Sequence, residues 1–101
     1  MRAIITAAIL SASALPASAA QNGAPTAAET VVLAGPCVTC HGPDGAGAGG
    51  IPAIKGRPAP VLLDKLTAFK QGSEPSTIMG RLAKGYSDEQ LERLARHFGA
   101  Q

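Results

Sequence analysis

The chain has 101 residues, 46% of them hydrophobic, and a formal net charge of +2. Such a small charge gives no support to a nucleic-acid-binding protein, and the length limits the chain to one small domain. Aromatic side chains are scarce: the chain has no tryptophan, and its aromatic residues are Phe69, Tyr86 and Phe98. A domain of this size has a marginal core of its own, so a bound apolar group at its centre would make the composition easier to understand.

The N-terminus has the features of a secretory signal peptide. Arg2 is followed by an apolar run from Ala3 to Leu10, and Ala17-Ser18-Ala19 is typical of a cleavage site. The apolar run is too short for a lasting transmembrane helix, although an uncleaved anchor is an alternative. We therefore predict a signal peptide over 1–19, a flexible leader over 20–25, a single domain over 26–101 and a periplasmic location.

The first predicted helix begins at a capping box. Thr26 and Glu29 have the T-x-x-E spacing in which each side chain satisfies a backbone amide of the first turn. Ala28, Val31 and Val32 would share the apolar face, and Gly35-Pro36 is expected to stop the helix just before Cys37.

The five residues Cys37-Val38-Thr39-Cys40-His41 form the main motif of the chain. CxxCH is the spacing at which two thiols bind the two vinyl groups of a haem, with the histidine as proximal iron ligand. The same spacing has three alternative interpretations. A thioredoxin-like pair would need a βαβ pattern, a zinc site would need more ligands, and a plain disulfide would not explain His41. The motif therefore predicts one covalently bound haem c, attached at Cys37 and Cys40 and ligated by His41.

A glycine- and proline-rich loop over 42–60 follows the motif. Its composition alone would suit a flexible linker, but its position favours a loop that wraps closely on a flat cofactor. The carbonyl of Pro52 is the predicted acceptor for the Nδ1–H of His41, which would fix the orientation of the imidazole. Ile51 and Ile54 are expected to cover the ring.

Two further amphipathic helices are predicted. Leu62, Leu66 and Phe69 define one over about 61–71, ended by Gly72. The other begins at a second capping box at Ser87 and ends at Gly99. Its apolar stripe consists of Leu91, Leu94, Ala95 and Phe98. A short turn over 81–84 lies between them, so the fold class is all-α, with three to five short helices around one haem.

Met79 is the predicted sixth ligand of the iron. A thioether is a common axial ligand in electron carriers, and this is the only methionine left after removal of the signal peptide. The ordinary alternative is a methionine that fills a gap in the core. His97 is the rival ligand, although it falls in the last turn of a packing helix, where histidines usually meet terminal carbonyls or water.

The whole pattern resembles the class I cytochromes c, in particular the cytochrome c4-like group and the cytochrome subunits of flavocytochrome c sulfide dehydrogenases. The resemblance covers about residues 30–99 and rests on these segments: Cys37 to Gly47, Ile51 to Pro58, Phe69 to Gly72, Ile78-Met79, and Lys84 to Asp88. Gly35-Pro36 departs from it, since the first helix of the family would continue into the motif.

The resemblance implies an all-α fold whose terminal helices cross beside the haem, with His41 and Met79 as axial ligands. It also implies an electron-transfer protein rather than an enzyme, with an FAD-containing sulfide dehydrogenase subunit as partner. A free electron carrier to an oxidase or another redox protein is the alternative. A peroxidase-like haem enzyme is the third reading, and Met79 argues against it because such an enzyme needs an open sixth position.

Overall fold

The computed structural model describes residues 23–100; the predicted signal peptide and residues 20–22 lie outside this range. Its five helices are α1 (Ala27–Leu33), α2 (Gly35–His41), α3 (Ala59–Gln71), α4 (Met79–Ala83) and α5 (Asp88–Phe98). The only β-type pairs in residues 23–100 are isolated bridges, so the predicted all-α class is confirmed. Within the same range, no helix has the length and hydrophobicity needed to cross a membrane.

The first helix begins as predicted but ends differently. Thr26 and Glu29 form the capping box, whereas α1 ends at Leu33 and Ala34 separates it from α2. The prediction that Gly35-Pro36 stops a helix before the motif is therefore wrong, because these two residues begin the helix that carries it. Proline is suited to the first turn of a helix, where its missing N–H needs no partner.

The prediction that Val31 and Val32 lie on the packed face of α1 is also wrong. Val31 and Val32 are 60% and 78% exposed, while Ala34 is 1% exposed and packs with Leu94, Ala95 and Phe98. The helix thus meets α5 at its C-terminal end, where the small side chain of Ala34 allows a close approach.

The remaining helices follow the sequence pattern closely. Helix α3 begins two residues earlier than predicted, with Pro60 in its first turn, and ends at Gly72, whose φ of 79° is left-handed. The short turn predicted over 81–84 is α4, which begins two residues earlier, at Met79 itself. In α5, Ser87 and Gln90 form the predicted capping box.

The core is built on α5. All four residues of its predicted stripe are buried, and the helix packs on α1 and α3, while α3 also packs on α4. Leu62 of α3 joins the same cluster as Leu94 and Phe98. This arrangement leaves a cavity bounded by α2, α3, α4, α5 and the loop between α2 and α3.

Candidate functional site

The CxxCH motif lies on helix α2, although the sequence predicted the end of a helix just before it. Cys37 is half-buried, Cys40 is exposed and His41, the last residue of α2, is only 7% exposed. Both cysteines are free thiols, so the structure contains no Cys37–Cys40 disulfide. In residues 23–100, no three Cys, His, Asp or Glu side chains are placed to hold a metal ion, which gives no support to the zinc alternative.

The imidazole of His41 is held by the following loop. Its Nδ1 lies 2.7 Å from the carbonyl oxygen of Pro52, the acceptor that the sequence suggested. Because a carbonyl only accepts, Nδ1 carries a proton, and in the neutral ring Nε2 then has the free lone pair. His41 is the one buried polar side chain in the described part of the chain, and it lines the cavity. Nε2 is thus the nitrogen available to a metal.

Close backbone packing fixes the loop that carries Pro52. The amide of Gly47 donates to His41 O at 2.7 Å, and the amides of Ile54 and Lys55 donate to Gly45 O. Gly47 has φ 73°, and a Cβ there would lie 2.5 Å from Ile51 O and 2.7 Å from the carbonyl carbon of Pro52. Only glycine allows this approach, so the segment is a folded loop, not a linker.

A cavity of about 460 Å³ lies beside His41. Its size is within the range of about 300–1,000 Å³ that is usual for cofactor and small-molecule sites. Cys37, Cys40, His41 and Met79 all line it. Most of the remaining wall is apolar, and it includes the following side chains: Ile51, Ile54, Val61, Leu62, Leu66, Phe69, Ile78, Leu82, Leu91, Leu94 and Phe98.

Met79 enters the cavity from the first residue of α4. The Oγ of Ser76 accepts a hydrogen bond from the Gly80 amide at 2.8 Å, which holds the first turn of this short helix. Met79 is only half-buried and lies outside the buried core cluster, unlike a gap-filling methionine. His97, the rival ligand, is exposed, does not line the cavity and packs edge-on against Phe98, with 4.8 Å between ring centroids.

Tyr86 is a site residue that the sequence reasoning missed. Its hydroxyl donates to Leu33 O at 3.1 Å, across the break between α1 and α2, and its ring lines the cavity. Burial raises the pKa of Tyr86, and the neighbouring Cys37 raises it further. Burial also raises the pKa of the Cys37 thiol, an effect that the Tyr86 hydroxyl opposes. No local pattern marks a contact between residues so far apart in sequence.

These residues fit a haem of the c type. Two thiols, an imidazole with its second nitrogen already paired and a thioether sulfur line one apolar cavity, which is the donor set of such a cofactor. The fold and the cavity together are those of a small monohaem cytochrome.

The comparisons with known proteins agree. The cytochrome c family model matches residues 25–97, so the chain belongs to the cytochrome c family. It is 43% identical over 68 residues to the cytochrome subunit of sulfide dehydrogenase from Chlorobaculum tepidum, a match that covers 67% of this chain and 62% of that protein. It is 38% identical over 66 residues to a thiosulfate dehydrogenase electron acceptor from Stutzerimonas stutzeri, covering 61% of this chain and 31% of that protein. It is also 38% identical over 66 residues to cytochrome c-553 of Desulfomicrobium norvegicum, a match that covers 62% of this chain and 82% of that protein.

The chain thus spans less than two thirds of the first two relatives. The predicted class I resemblance is confirmed, and membership of the family establishes a covalently bound haem c. These relatives are cytochromes and electron acceptors, and residues 25–97 form a cytochrome c electron-transfer domain.

Proposed function

We propose that the protein transfers single electrons through one haem attached at Cys37 and Cys40 and ligated by His41 and Met79. The observation that carries this proposal is the meeting of these four side chains at one apolar cavity. When bound, the haem supplies an iron that cycles between the ferrous and ferric states. Pro52 O keeps the proton on Nδ1 of His41 and so reserves Nε2 for the iron.

The protein's contribution is a fixed, mainly apolar site. The apolar side chains around the cavity would keep water from the faces of a bound haem, and the hydrogen bonds of the loop at Gly45 and Gly47 hold the side of the cavity that carries His41. Ligands that are held in the same positions in both oxidation states need little rearrangement during transfer. Thioether ligation by Met79 would raise the reduction potential.

We further propose that the protein is the periplasmic cytochrome subunit of a sulfide dehydrogenase, with an FAD-containing flavoprotein as electron donor. The sequence resemblance and the similarity to the Chlorobaculum tepidum subunit support this assignment. The predicted signal peptide over 1–19 and domain over 26–101 agree with it. Ile51, Val61 and Ile78 are partly exposed at the cavity and form an apolar rim on which a partner could dock.

A free electron carrier is the second candidate. The match to cytochrome c-553 covers 82% of that protein, so a cytochrome little longer than this match exists as a separate chain. A peroxidase-like activity is less well supported, because Met79 lines the cavity where such an enzyme would need an open position.

The ligand assignment is tested by absorption spectra of the protein exported from a host with a haem c maturation system. We expect a c-type spectrum with the weak red band of methionine-ligated ferric iron, lost in Met79→Ala. Leu82→Ala, which removes a non-ligating side chain from the cavity wall on the same helix, should keep the band. A native c-type spectrum that lacks this band, and that changes in His97→Ala but not in Met79→Ala, would assign the iron to the rival ligand. Absence of a c-type spectrum would overturn the site.

The partner is tested by mixing the ferric protein with sulfide, with and without the flavoprotein subunit of a sulfide dehydrogenase from the same organism. Reduction that requires the flavoprotein, together with co-purification of the two chains, would support the subunit assignment. Equal reduction in both mixtures, with no stable complex, would favour the free carrier.

A further inference from the structure

Three charged side chains interrupt the apolar wall of the cavity. Among the described residues that line it, the charged ones are Arg57, Lys65 and Glu74. Arg57 precedes α3, Lys65 lies within it and Glu74 follows it, so one continuous segment supplies all three. The cysteines and the proposed axial ligands come from other helices, α2 and α4.

Lys65 and Glu74 form an ion pair at the mouth of the cavity. Lys65 Nζ lies 3.0 Å from Glu74 Oε1, and the two side chains remain 51% and 36% exposed. Both groups therefore reach solvent and the cavity at once. The ammonium group of Lys65 has three N–H donors, and the bond to Glu74 uses one of them, so the others remain available.

Arg57 is anchored beside the loop that orients His41. Its Nε donates to Ala53 O at 2.9 Å, one residue after Pro52. A guanidinium carries five N–H donors in a planar fork, and this bond uses one of them. The others can make the paired hydrogen bonds to a carboxylate that arginine favours.

We propose that Arg57 and Lys65 bind the two propionate carboxylates of the haem, with Glu74 competing for Lys65. A haem c carries its propionates on the edge away from its thioether bonds, and an apolar cavity tolerates carboxylates only beside cations or water. The two cations and one carboxylate that line the cavity carry a side-chain charge of +1 before the propionates are counted. The charges around the haem edge then act directly on the reduction potential, since nearby positive charge favours the ferrous form.

The inference rests on the haem assignment of this cavity, and its test is the midpoint potential of the holo-protein. Lys65→Gln and Arg57→Gln should lower the potential, whereas Glu74→Gln should raise it. The chain offers a matched control pair, because Lys70 of the same helix is 2.7 Å from Asp88 but lies outside the cavity. Lys70→Gln and Asp88→Asn make the same charge changes and should shift the potential much less.

Redox-difference infrared spectra supply a second readout. The propionate bands should change in Lys65→Gln and Arg57→Gln but not in Lys70→Gln. Arg57→Lys keeps the charge and should keep most of the native potential; equal shifts in Arg57→Lys and Arg57→Gln would assign Arg57 to loop packing and overturn its role.

The proposal as a whole would be overturned if the Arg57, Lys65 and Glu74 variants shifted the midpoint potential no more than the Lys70 and Asp88 variants and left the propionate bands unchanged. A native c-type spectrum in that case would leave the haem site itself intact. A protein without any c-type spectrum would overturn both the site and this inference.

Discussion

The hydrogen bond between Tyr86 and Leu33 O should contribute measurably to stability. In a continuous helix the amide of Cys37 would reach Leu33 O, but here it bonds to Ala34 O at 2.9 Å because the helix breaks at Ala34. The hydroxyl of Tyr86 takes its place at 3.1 Å. Tyr86→Phe keeps the ring in the cavity wall and removes the hydroxyl, which donates to Leu33 O and also interacts with the Cys37 sulfur.

We expect Tyr86→Phe to lower the free energy of unfolding by about 1 kcal/mol, the usual net contribution of one such bond. Leaving a carbonyl without its donor can destabilise a protein further, but here the effect should be small. The site is only partly buried, so water can partly replace the hydroxyl as donor to Leu33 O. For a domain of this size, about 1 kcal/mol corresponds to a fall in melting temperature of roughly 4–8 °C.

The assay is thermal and urea unfolding of the holo-protein, followed by far-ultraviolet circular dichroism. Ser73→Ala is the matched control, because it also removes a hydroxyl that donates to a backbone carbonyl, Ala68 O, but at an exposed position. The control should change stability by less than about 0.5 kcal/mol. Equal stability of Tyr86→Phe and Ser73→Ala would refute the view that Tyr86 secures the break before the motif.

Three other predictions concern the core, the loop and an exposed ion pair. Leu94→Ala should destabilise the protein by about 2–5 kcal/mol in urea unfolding, because Leu94 is 2% exposed at the centre of the core, whereas Val32→Ala on the exposed side of α1 should cost less than about 0.5 kcal/mol. Gly47→Ala should be clearly more destabilising than Gly49→Ala in the same assay, since both have positive φ but only the Cβ at Gly47 would collide with backbone; equal losses would contradict the close packing of the loop. The pKa of Asp44 is lowered by its hydrogen bond to Lys55, so its stabilising effect is present above the ordinary value of 3.8 and is lost as the pH falls through the lower folded-state value. The stability difference between the native protein and Asp44→Asn should therefore vanish in acid, and a difference independent of pH would contradict this assignment.

Much of the fold could be predicted because its helices carry local signals. Both capping boxes, the glycine stop at Gly72 and the stripe of α5 depend only on residues within four positions of one another. The same holds for the motif, whose spacing fixes which side chains share one helix face or one turn. The all-α class followed from these signals, and so did the central place of Leu91, Leu94 and Phe98 in the core.

The errors came from places where tertiary contacts override a local pattern. Val31 and Val32 lie on the exposed side of α1, whereas Leu33 and Ala34 contact the core, where the small side chain of Ala34 lets α1 and α5 approach closely. Gly35-Pro36 is typical of a helix stop, but proline is also common in the first turn of a helix, and here it begins α2. The bond from Tyr86 to Leu33 joins residues 53 positions apart, a distance at which the sequence carries no readable signal.

The loop after the motif links the two halves of the site. Its glycines let the backbone at Ile51 and Pro52 approach His41, and the hydrogen bond to Pro52 O then selects the nitrogen that would bind iron in the proposed site. One residue further on, Ala53 O holds Arg57, the cation that we assign to a propionate. In the proposed site, the orientation of His41 and the position of the Arg57 charge therefore depend on one short stretch of backbone. A change that loosens this stretch should affect the stability of the protein and its reduction potential together, whereas changes at Lys65 or Glu74 should move the potential alone.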